Sequence, residues 1–291
     1  MASLMDGSVL NLHIGTEMAA IDAAEWDAIA GSANPFISHA FLQALEKGGA
    51  IGGDSGWDPM HLLLRSDDGQ LLGAMANYLK HHSYGEYIFD HGWANAFERA
   101  GGAYYPKLLA AVPFTPATGP RFLVRDNRAD LKTALAKGME TLVEKYQLSS
   151  AHVNFLPSDD AHQLAAAGWL DRTSIQFHWH NQNYADFDDF LDNLSSRKRK
   201  NIRKERASVI NAGVTMLRLT GAAITQVHID AFFRFYMSTI DRKWGGAYLT
   251  HEVFTQLGKT MADRMLLVMA EYEGNIIGGA LNFIGDDALY G

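Results

Sequence analysis

Cysteine is absent from the sequence, which excludes disulfide bonds, thiolate zinc sites, iron–sulfur clusters and cysteine nucleophiles. The 7 prolines are too few for a rigid proline-rich linker. No apolar run reaches the roughly 18 residues that a membrane-spanning helix needs. The stretch from Met1 to Leu12 lacks the basic region followed by an apolar region that marks a signal peptide. These absences predict a cytoplasmic protein without a membrane span.

Common catalytic signatures are missing as well. The sequence has no HExxH, no Walker lysine motif and no GxSxG, which disfavours a metalloprotease, an ATPase and a serine hydrolase. His178 and His180 place two imidazoles on one face of a predicted strand, but a metal site needs at least one more ligand and spacing supplies none. The net charge of −8 argues against a duplex DNA partner. We therefore predict neither a bound metal nor duplex DNA binding.

What remains is a long chain rich in apolar residues. Its 291 residues suggest about two domains. A hydrophobic fraction of 47% can bury substantial cores and argues against disorder. Strand and helix patterns alternate along the chain, which predicts the α/β (α+β) class.

Two hairpin patterns lie far apart in the sequence. In the first, the apolar runs His61–Leu64 and Leu71–Leu79 flank an Asp-Gly turn at Gly69. In the second, Leu267–Gly285 carries its turn at Gly274. The two turn glycines are 205 residues apart (274 − 69). This spacing is typical of two copies of one domain, although two unrelated hairpins remain an alternative.

Apolar spacing predicts further helices and strands. Ser174–His180 alternates apolar and polar residues, as a half-buried strand does. The segment Asp186–Ala212 is a predicted helix that a cap at Ser195-Ser196 divides in two. The junction at Gln182–Asp186 gives a first domain over 1–182 and a second over 183–291. The other predicted elements are helices over Asn127–Tyr146, Asp159–Ala167, Ile229–Ile240 and Glu252–Asp263, and strands over Ala151–Leu156 and Val214–Leu219.

Long, unusual strings carry a resemblance to a known family. Besides NPFISHAFLQALE (Asn34–Glu46), they are KHHSYGEYIFDHGWA (Lys80–Ala94), YYPKLLAAVPFTPATGPRF (Tyr104–Phe122), SSRKRKNIRKER (Ser195–Arg206) and DRKWGGAYLT (Asp241–Thr250). The chain resembles the FemAB-like predicted N-acyltransferases, which are similar to the FemAB/FemX peptidoglycan aminoacyltransferases. The resemblance implies tandem GNAT-like domains, with mixed, mainly antiparallel sheets flanked by helices.

The same resemblance implies transfer of an acyl or aminoacyl group to an amine. The donor, a co-substrate, would be acyl-CoA or aminoacyl-tRNA, and no tightly bound cofactor is implied. The acceptor would be a small molecule or a cell-wall precursor such as a peptidoglycan precursor, and tRNA would be a partner. One departure is that only 17 residues follow Gly274 (291 − 274). We therefore expect an incomplete second domain whose open sheet edge allows self-association.

Proton-transfer groups are densest between Lys80 and His91. If Gly85–Asp90 is a strand, Glu86 and Asp90 project from one face. The alternative is an exposed polar sheet face opposite a buried aromatic one. We predict catalytic roles for Glu86, Asp90, His91 and His39, and substrate binding by Lys80 and Tyr84.

Two segments are candidates for binding phosphate. The turn that contains Thr118, Gly119 and Arg121 precedes a predicted helix, where main-chain amides can hold a pyrophosphate; the alternative is a simple turn. The stretch Arg197–Arg206 has seven basic residues in ten and is either an anion site or a solvated helix face. Its candidate ligand-binding residues are Arg197, Lys198, Arg199, Arg203 and Lys204.

A third polar cluster follows an apolar helix. Asp241, Lys243 and Trp244 form either a ligand-binding loop or the end of that helix. The rival function for the whole chain is a catalytically silent module that binds a cell-wall, nucleotide-linked or protein ligand. Convergence of Glu86, Asp90 and His91 with His39 and Arg121 on one cleft would favour the enzyme.

Overall fold

The computed structural model describes residues 2–3, 9–242 and 246–291, and these residues form three β-sheets flanked by helices. The helices are α1 (Ala23–Ala30), α2 (His39–Lys47), α3 (His91–Arg99), α4 (Ala129–Tyr146), α5 (Ser158–Ala166), α6 (Phe187–Asp192), α7 (Ser196–Asn211), α8 (Gln226–Asp241) and α9 (His251–Thr260). Within the described ranges, none of these helices has both the length and the apolar character to cross a bilayer.

The strands are short. They are β1 (Ala2–Ser3), β2 (Val9–Gly15), β3 (Trp57–Pro59), β4 (His61–Ser66), β5 (Leu71–Met75), β6 (Asn77–Lys80), β7 (Lys107–Ala110), β8 (Leu123–Val124), β9 (Ala151–Val153), β10 (Thr215–Leu219), β11 (Met265–Tyr272), β12 (Asn275–Ile284) and β13 (Leu289–Tyr290).

The sheets are mainly antiparallel. Sheet one has the strand order β1-β2-β4-β5-β8, sheet two β3-β6-β7-β9, and sheet three β10-β11-β12-β13. The pair β7 and β9 in sheet two is parallel, and α4 lies in the connection between these two strands. The predicted α+β class with mixed, mainly antiparallel sheets is confirmed, whereas the tandem GNAT-like assignment within that class stays a prediction.

Two strand pairs pass from sheet one into sheet two. Met60 separates β3 from β4, and Ala76 separates β5 from β6. The main chain stays connected across the break, because Met60 N–H donates to the carbonyl of Asn77 at 2.8 Å. Strands β3 and β6 of sheet two therefore continue the strands of the first hairpin. Strand β6 ends at Lys80, which lies opposite the first residue of β7.

Both predicted hairpins form. The pair β4 and β5 encloses the turn at Gly69, and β11 and β12 enclose a turn at Glu273-Gly274. Glu273 and Gly274 both have positive φ, at 49° and 74°, which is the conformation that a two-residue hairpin turn requires.

One hydrophobic cluster joins the two halves of the sequence. It contains Trp26 and Leu42 from the first half and Ile229 and Phe254 from the second. The contact between α2 and α9 is close: a Cβ at Gly48 would stand 2.3 Å from Val253 Cγ2. The boundary at 182/183 stays a prediction, and the larger core extends across it.

The predicted strand at Ser174–His180 is wrong, and the strand considered for Gly85–Asp90 does not form. Ser174–His180 has no strand pairing, and all residues from 171 to 180 are exposed, because no neighbouring strand in the described residues offers its main chain. The stretch Gly85–Asp90 is a loop in which Gly85, Tyr87 and Phe89 all have positive φ; such a backbone cannot continue β6. The helical segment 186–212, in contrast, divides before α7 with Ser195 at its N-cap, as predicted.

Candidate functional site

Sheet two brings two lysines side by side. Lys80 at the end of β6 is in register with Lys107 at the start of β7, and Trp57 of β3 is the next partner along this row. Residues directly opposite in an antiparallel pair share one face of the sheet. Both lysine side chains are fully buried, so their charges must be compensated inside the protein.

The loop before α3 supplies that compensation. Lys107 Nζ donates to Glu86 Oε2 at 2.9 Å, to Asp90 Oδ2 at 2.7 Å and to Ser83 Oγ at 3.0 Å. The Tyr104 hydroxyl also donates to Asp90 Oδ2, at 2.8 Å. Glu86 and Asp90 are only 3% and 1% exposed. We call Lys80, Lys107, Glu86, Asp90 and Tyr104 the buried charge cluster.

The backbone of this loop explains how both acids turn inward. Gly85 has φ of 78°, and a Cβ there would stand 2.6 Å from Phe114 Cδ1, so only glycine fits. Positive φ at Tyr87 and Phe89 then places both rings outside, with Phe89 77% exposed. The two carboxylates meet as predicted from the sequence, but they do so across Lys107 and not along a strand face.

The two carboxyl groups differ in acidity. Burial raises the pKa of Glu86 above its usual value, although the Lys107 ammonium opposes this. Burial also disfavours ionised Asp90, but the hydrogen bond and charge of Lys107 outweigh it and lower the pKa of Asp90 to about 2. Asp90 is therefore a fixed carboxylate near neutral pH, and Glu86 is the more basic of the two.

Each acid also keeps one oxygen without a partner. Glu86 Oε1 and Asp90 Oδ1 are buried and accept no hydrogen bond from the described residues. A buried acceptor without a donor is costly, so each such oxygen needs an explanation. Two free acceptor atoms around one ammonium could receive N–H donors from a ligand amine.

Lys80 has a different environment. Its Nζ donates to the carbonyl of Gly56 at 3.0 Å and lies 3.7 Å from the centroid of the Trp57 ring. Burial lowers the pKa of Lys80 to about 7, and the charge of Glu86 opposes the shift. An amine with this pKa can be neutral at physiological pH.

Sequence analysis missed three members of this neighbourhood: Lys107, Tyr104 and His152. Burial, and next the charge of Lys107, lower the pKa of His152 to about 4. Its Nε2 is 2.8 Å from Ser150 Oγ. The only local signal was a lysine directly before the apolar run of β7, since the pairing of Lys107 with Lys80 depends on tertiary structure.

Within the described residues, neither candidate histidine side chain forms a hydrogen bond to the buried charge cluster. His91 is the exposed first residue of α3, and its ring is 5.8 Å from that of Tyr84. His39 is buried at the start of α2, where Nε2 is 2.8 Å from the carbonyl of Met18 and 3.0 Å from that of Ile21. These contacts join α2 to the turn that precedes α1. Catalytic roles for both histidines stay predictions, as does substrate binding by Tyr84, which is 60% exposed.

The predicted pyrophosphate turn is bonded to its own chain. Arg121 is buried and donates to the carbonyls of Asn154 at 2.8 Å and Ala117 at 2.7 Å. The N–H of Gly119 donates to the carbonyl of Phe155 at 3.0 Å. Thr118 is exposed, and its hydroxyl lies 3.4 Å from Gln176 Oε1. These bonds occupy the donors that a phosphate would need, and cofactor binding at this turn stays a prediction.

The basic helix α7 presents two different stripes. Arg199 pairs with Asp192 at 2.5 Å, Arg203 pairs with Asp188 at 3.1 Å, and the Arg206 guanidinium lies 4.1 Å from the Phe187 ring centroid. We call these residues the paired stripe, because they face α6. Helical spacing puts a second stripe about a third of a turn away. Arg197, Lys200 and Lys204, the free stripe, are exposed and form no ion pair with the described residues, and nor does Lys198.

The third predicted cluster is only partly described. Asp241 is exposed at the end of α8. Lys243 and Trp244 lie outside the described residues. Within those residues, no group of three or more histidine, aspartate or glutamate side chains is arranged to hold a metal ion.

Comparison with known proteins identifies a family. The family model named FemAB-like, described as peptidoglycan biosynthesis/recognition, matches residues 17–291. No curated protein matches the chain. The matched range contains the buried charge cluster and the whole of α7.

Proposed function

The chain belongs to the FemAB-like family of peptidoglycan biosynthesis and recognition, and from this premise we propose that it transfers an acyl or aminoacyl group to an amine of a peptidoglycan precursor. One observation carries the proposal. Two buried carboxylates, Glu86 and Asp90, converge on Lys107, and each retains an unpartnered oxygen. This is an arrangement that can bind an amine and accept its proton.

Glu86 is the proposed proton acceptor. Its raised pKa makes it a better base than Asp90, and a base works best when its pKa approaches the ambient pH. The amine nitrogen attacks the acyl carbonyl carbon, a C–N bond forms, and the bond to the donor's sulfur or ribose oxygen breaks. Glu86 takes the proton that the nitrogen loses and passes it to the departing atom.

Asp90 and Lys107 have positioning roles in this proposal. Lys107 holds both carboxylates within 2.9 Å, so the two free oxygens keep a fixed separation. Since the cluster is buried, the substrate amine reaches it only when the loop from 81 to 90 opens. The exposed rings of Tyr84, Tyr87 and Phe89 are on the outer side of that loop, where an incoming ligand meets them first.

Of the two donor classes, aminoacyl-tRNA agrees better with the charges. The free stripe of α7 offers Arg197, Lys200 and Lys204 to phosphates without breaking an ion pair. Arg121, which a bound coenzyme A would need, already donates to main-chain carbonyls. A tRNA backbone crossing the free stripe would release counterions, so its affinity would depend on salt.

The test is amide formation. The protein is incubated with a uridine-diphosphate-linked peptidoglycan precursor and either aminoacyl-tRNA or acetyl-CoA, and mass spectrometry detects the acylated precursor. We expect product with one donor and a loss of about 100-fold or more in rate for Glu86→Gln. Glu98→Gln changes an exposed glutamate of α3 and should keep the full rate. An undiminished rate in a folded Glu86→Gln protein would contradict the proposed base.

A silent binding module is the second candidate. It is favoured because His39 and Arg121 bond to main-chain carbonyls and not to the buried charge cluster. Saturable binding of the precursor without product from either donor would support this candidate.

A further inference from the structure

Two aromatic residues from other segments hold the loop from 81 to 90, which carries both acids of the buried charge cluster. The Trp57 indole N–H donates to the carbonyl of Tyr84 at 3.2 Å. The main-chain N–H of Phe114 donates to the carbonyl of Gly85, also at 3.2 Å. These two bonds fix the main chain directly before Glu86, so the position of that carboxylate depends on both aromatic residues.

A tyrosine from the second half of the sequence contacts this loop and one of the residues that hold it. The Tyr248 ring stacks on that of Phe114, with centroids 5.2 Å apart and an angle of 17° between the planes. It also meets the ring of Tyr87 edge to face, at 6.4 Å. Among the described residues, no other ring from the second half of the sequence contacts the loop.

Tyr248 is itself fixed by the helices on either side of it. The main-chain N–H groups of Tyr248 and Leu249 both donate to the Tyr236 hydroxyl of α8, each at 3.1 Å. The Tyr236 ring packs against Phe254 of α9, with centroids 5.3 Å apart. The string Asp241–Thr250, which stood out in the sequence, therefore contains the residue that joins α8 and α9 to the loop.

The loop encloses the amino group of Lys107. All three hydrogen-bond acceptors of Lys107 Nζ belong to the loop: Ser83, Glu86 and Asp90. The Lys107 side chain is fully buried. A ligand amine can therefore reach the two unpartnered carboxylate oxygens only when the loop moves away from Lys107.

We propose that Tyr248 keeps the loop from 81 to 90 closed over the buried charge cluster, and that the cluster becomes accessible when Tyr248 leaves Tyr87 and Phe114. Tyr248 is then a positioning residue, since it acts on the two acids through the loop. As a step in acyl transfer this role rests on the proposed function. As control of access to Lys107 it holds for any reaction at the cluster.

The two ring contacts are sufficient to control the opening of one loop. An aromatic pair changes an equilibrium by roughly 2- to 12-fold. Losing both contacts in Tyr248→Ala should therefore raise the population of the open loop by about 10-fold or more. The main-chain bonds made by Trp57 and Phe114 remain in this variant, so the loop should still be closed most of the time.

Acetylation of lysine measures the open population directly. The N-hydroxysuccinimide ester of acetic acid is added to the intact protein, and mass spectrometry of its peptides gives the rate at each lysine. Lys137 of α4 is exposed and supplies the rate of an unprotected amine. In the parent we expect Lys107 to react far more slowly than Lys137. In Tyr248→Ala the rate at Lys107 should rise by about 10-fold or more, while the rate at Lys137 stays the same.

Two matched variants isolate the ring contacts. Tyr248→Phe keeps the ring that stacks on Phe114, so Lys107 should stay as protected as in the parent. Tyr146→Ala removes a tyrosine that is 46% exposed at the end of α4, and it should not change the rate at Lys107. Equal gains in Tyr248→Ala and Tyr146→Ala would overturn the proposal.

Urea separates opening of the loop from a weaker fold. Global unfolding exposes much surface and rises steeply with urea, whereas opening of a single loop exposes little and depends on urea only weakly. The faster acetylation of Lys107 in Tyr248→Ala should be present without urea and nearly constant at low urea. A steep rise that follows global unfolding would contradict the role of Tyr248, and so would an unchanged rate at Lys107 in the folded variant.

The acetylation test needs neither an acyl donor nor an acceptor, so its result is independent of the transfer assay. Faster acetylation of Lys107 without any transfer would reject the proposed reaction and retain the role of Tyr248. Where transfer occurs, Tyr248→Ala should lower the KM for the acceptor by the same factor and largely keep kcat, because a larger share of the protein is competent to bind. An unchanged KM would overturn the link between the loop and the substrate.

Discussion

The buried charge cluster and the basic helix α7 contain the same kinds of residue in opposite environments. Lys80 and Lys107 are fully buried, and both amino groups and the two neighbouring carboxylates form hydrogen bonds. On α7 no residue is buried, and the acids that pair with it are themselves exposed. One region fixes a few charges in a single geometry, while the other displays many charges to solvent.

The comparison shows that the number of charged residues in a region does not determine how reactive they are. Exposed pairs such as Arg203 and Asp188 contribute about 0–1 kcal/mol. Buried groups lose their hydration, so their pKa values move and their partners become obligatory. A reactive site is therefore expected in the buried charge cluster, and a recognition surface on α7.

Removing Lys107 should have the largest effect on stability. Lys107→Met leaves the carboxylates of Glu86 and Asp90 buried without their cation, and breaking such a pair costs about 3–5 kcal/mol. Urea denaturation followed by circular dichroism measures the loss. Lys137→Met, at an exposed lysine of α4, should change the free energy of unfolding by less than about 0.5 kcal/mol. Equal effects of the two substitutions would refute the contrast between buried and exposed charge.

The second largest expected effect is the loss at low pH of the stability that ionised Asp90 contributes. Its pKa is lowered from 3.8 to about 2, so ionised Asp90 stabilises the fold above pH 4, and this contribution is lost as pH falls toward 2. The difference between the parent and Asp90→Asn should shrink by about 2 kcal/mol over that range. Asp230→Asn removes an exposed acid paired with His251 and should show a much smaller change. A flat difference curve for Asp90→Asn would contradict the fixed carboxylate.

Lys80 predicts a rise of stability with pH too, but in a higher pH range than Asp90. Burial lowers its pKa from 10.5 to about 7, so between these values the unfolded chain binds more protons than the folded one, and stability rises with pH. We expect the free energy of unfolding to increase from pH 7 to pH 9 in the parent and not in Lys80→Met. A parallel increase in both proteins would show that Lys80 is not the titrating group.

Local sequence patterns were sufficient to predict the elements that depend mainly on interactions between neighbouring residues. The Asp-Gly turn at Gly69 and the spacing of α4 led directly to a hairpin and a helix, because both depend on neighbouring residues. The segment Ser174–His180 has the period of a strand as well. It forms none, since a strand also needs a partner that the local sequence cannot supply.

Only part of the site could be predicted from the sequence, because the rest depends on contacts between distant segments. Glu86 and Asp90 stood out as acids among aromatic residues, but the cation between them comes from a strand that begins 17 residues after Asp90 (107 − 90). The loop that brings them together relies on positive φ at Tyr87 and Phe89, which no residue preference favours. Convergence across Lys107 is a tertiary property.

The free stripe of α7 should have the smallest effect on stability and a clear effect on binding. Changing Arg197, Lys200 and Lys204 together to glutamine should alter the free energy of unfolding by less than about 0.5 kcal/mol, since none of them is buried or in an ion pair with the described residues. If tRNA binds there, the salt dependence of its affinity should fall by about 0.7 per lost contact. The matched control changes Arg199, Arg203 and Arg206, whose side chains contact α6, so it should lower stability more and the salt dependence less. Charges that already neutralise the acids of α6 are not free to bind phosphate. The reverse ranking in either measurement would therefore mean that the paired stripe binds the phosphates and the free stripe stabilises the fold.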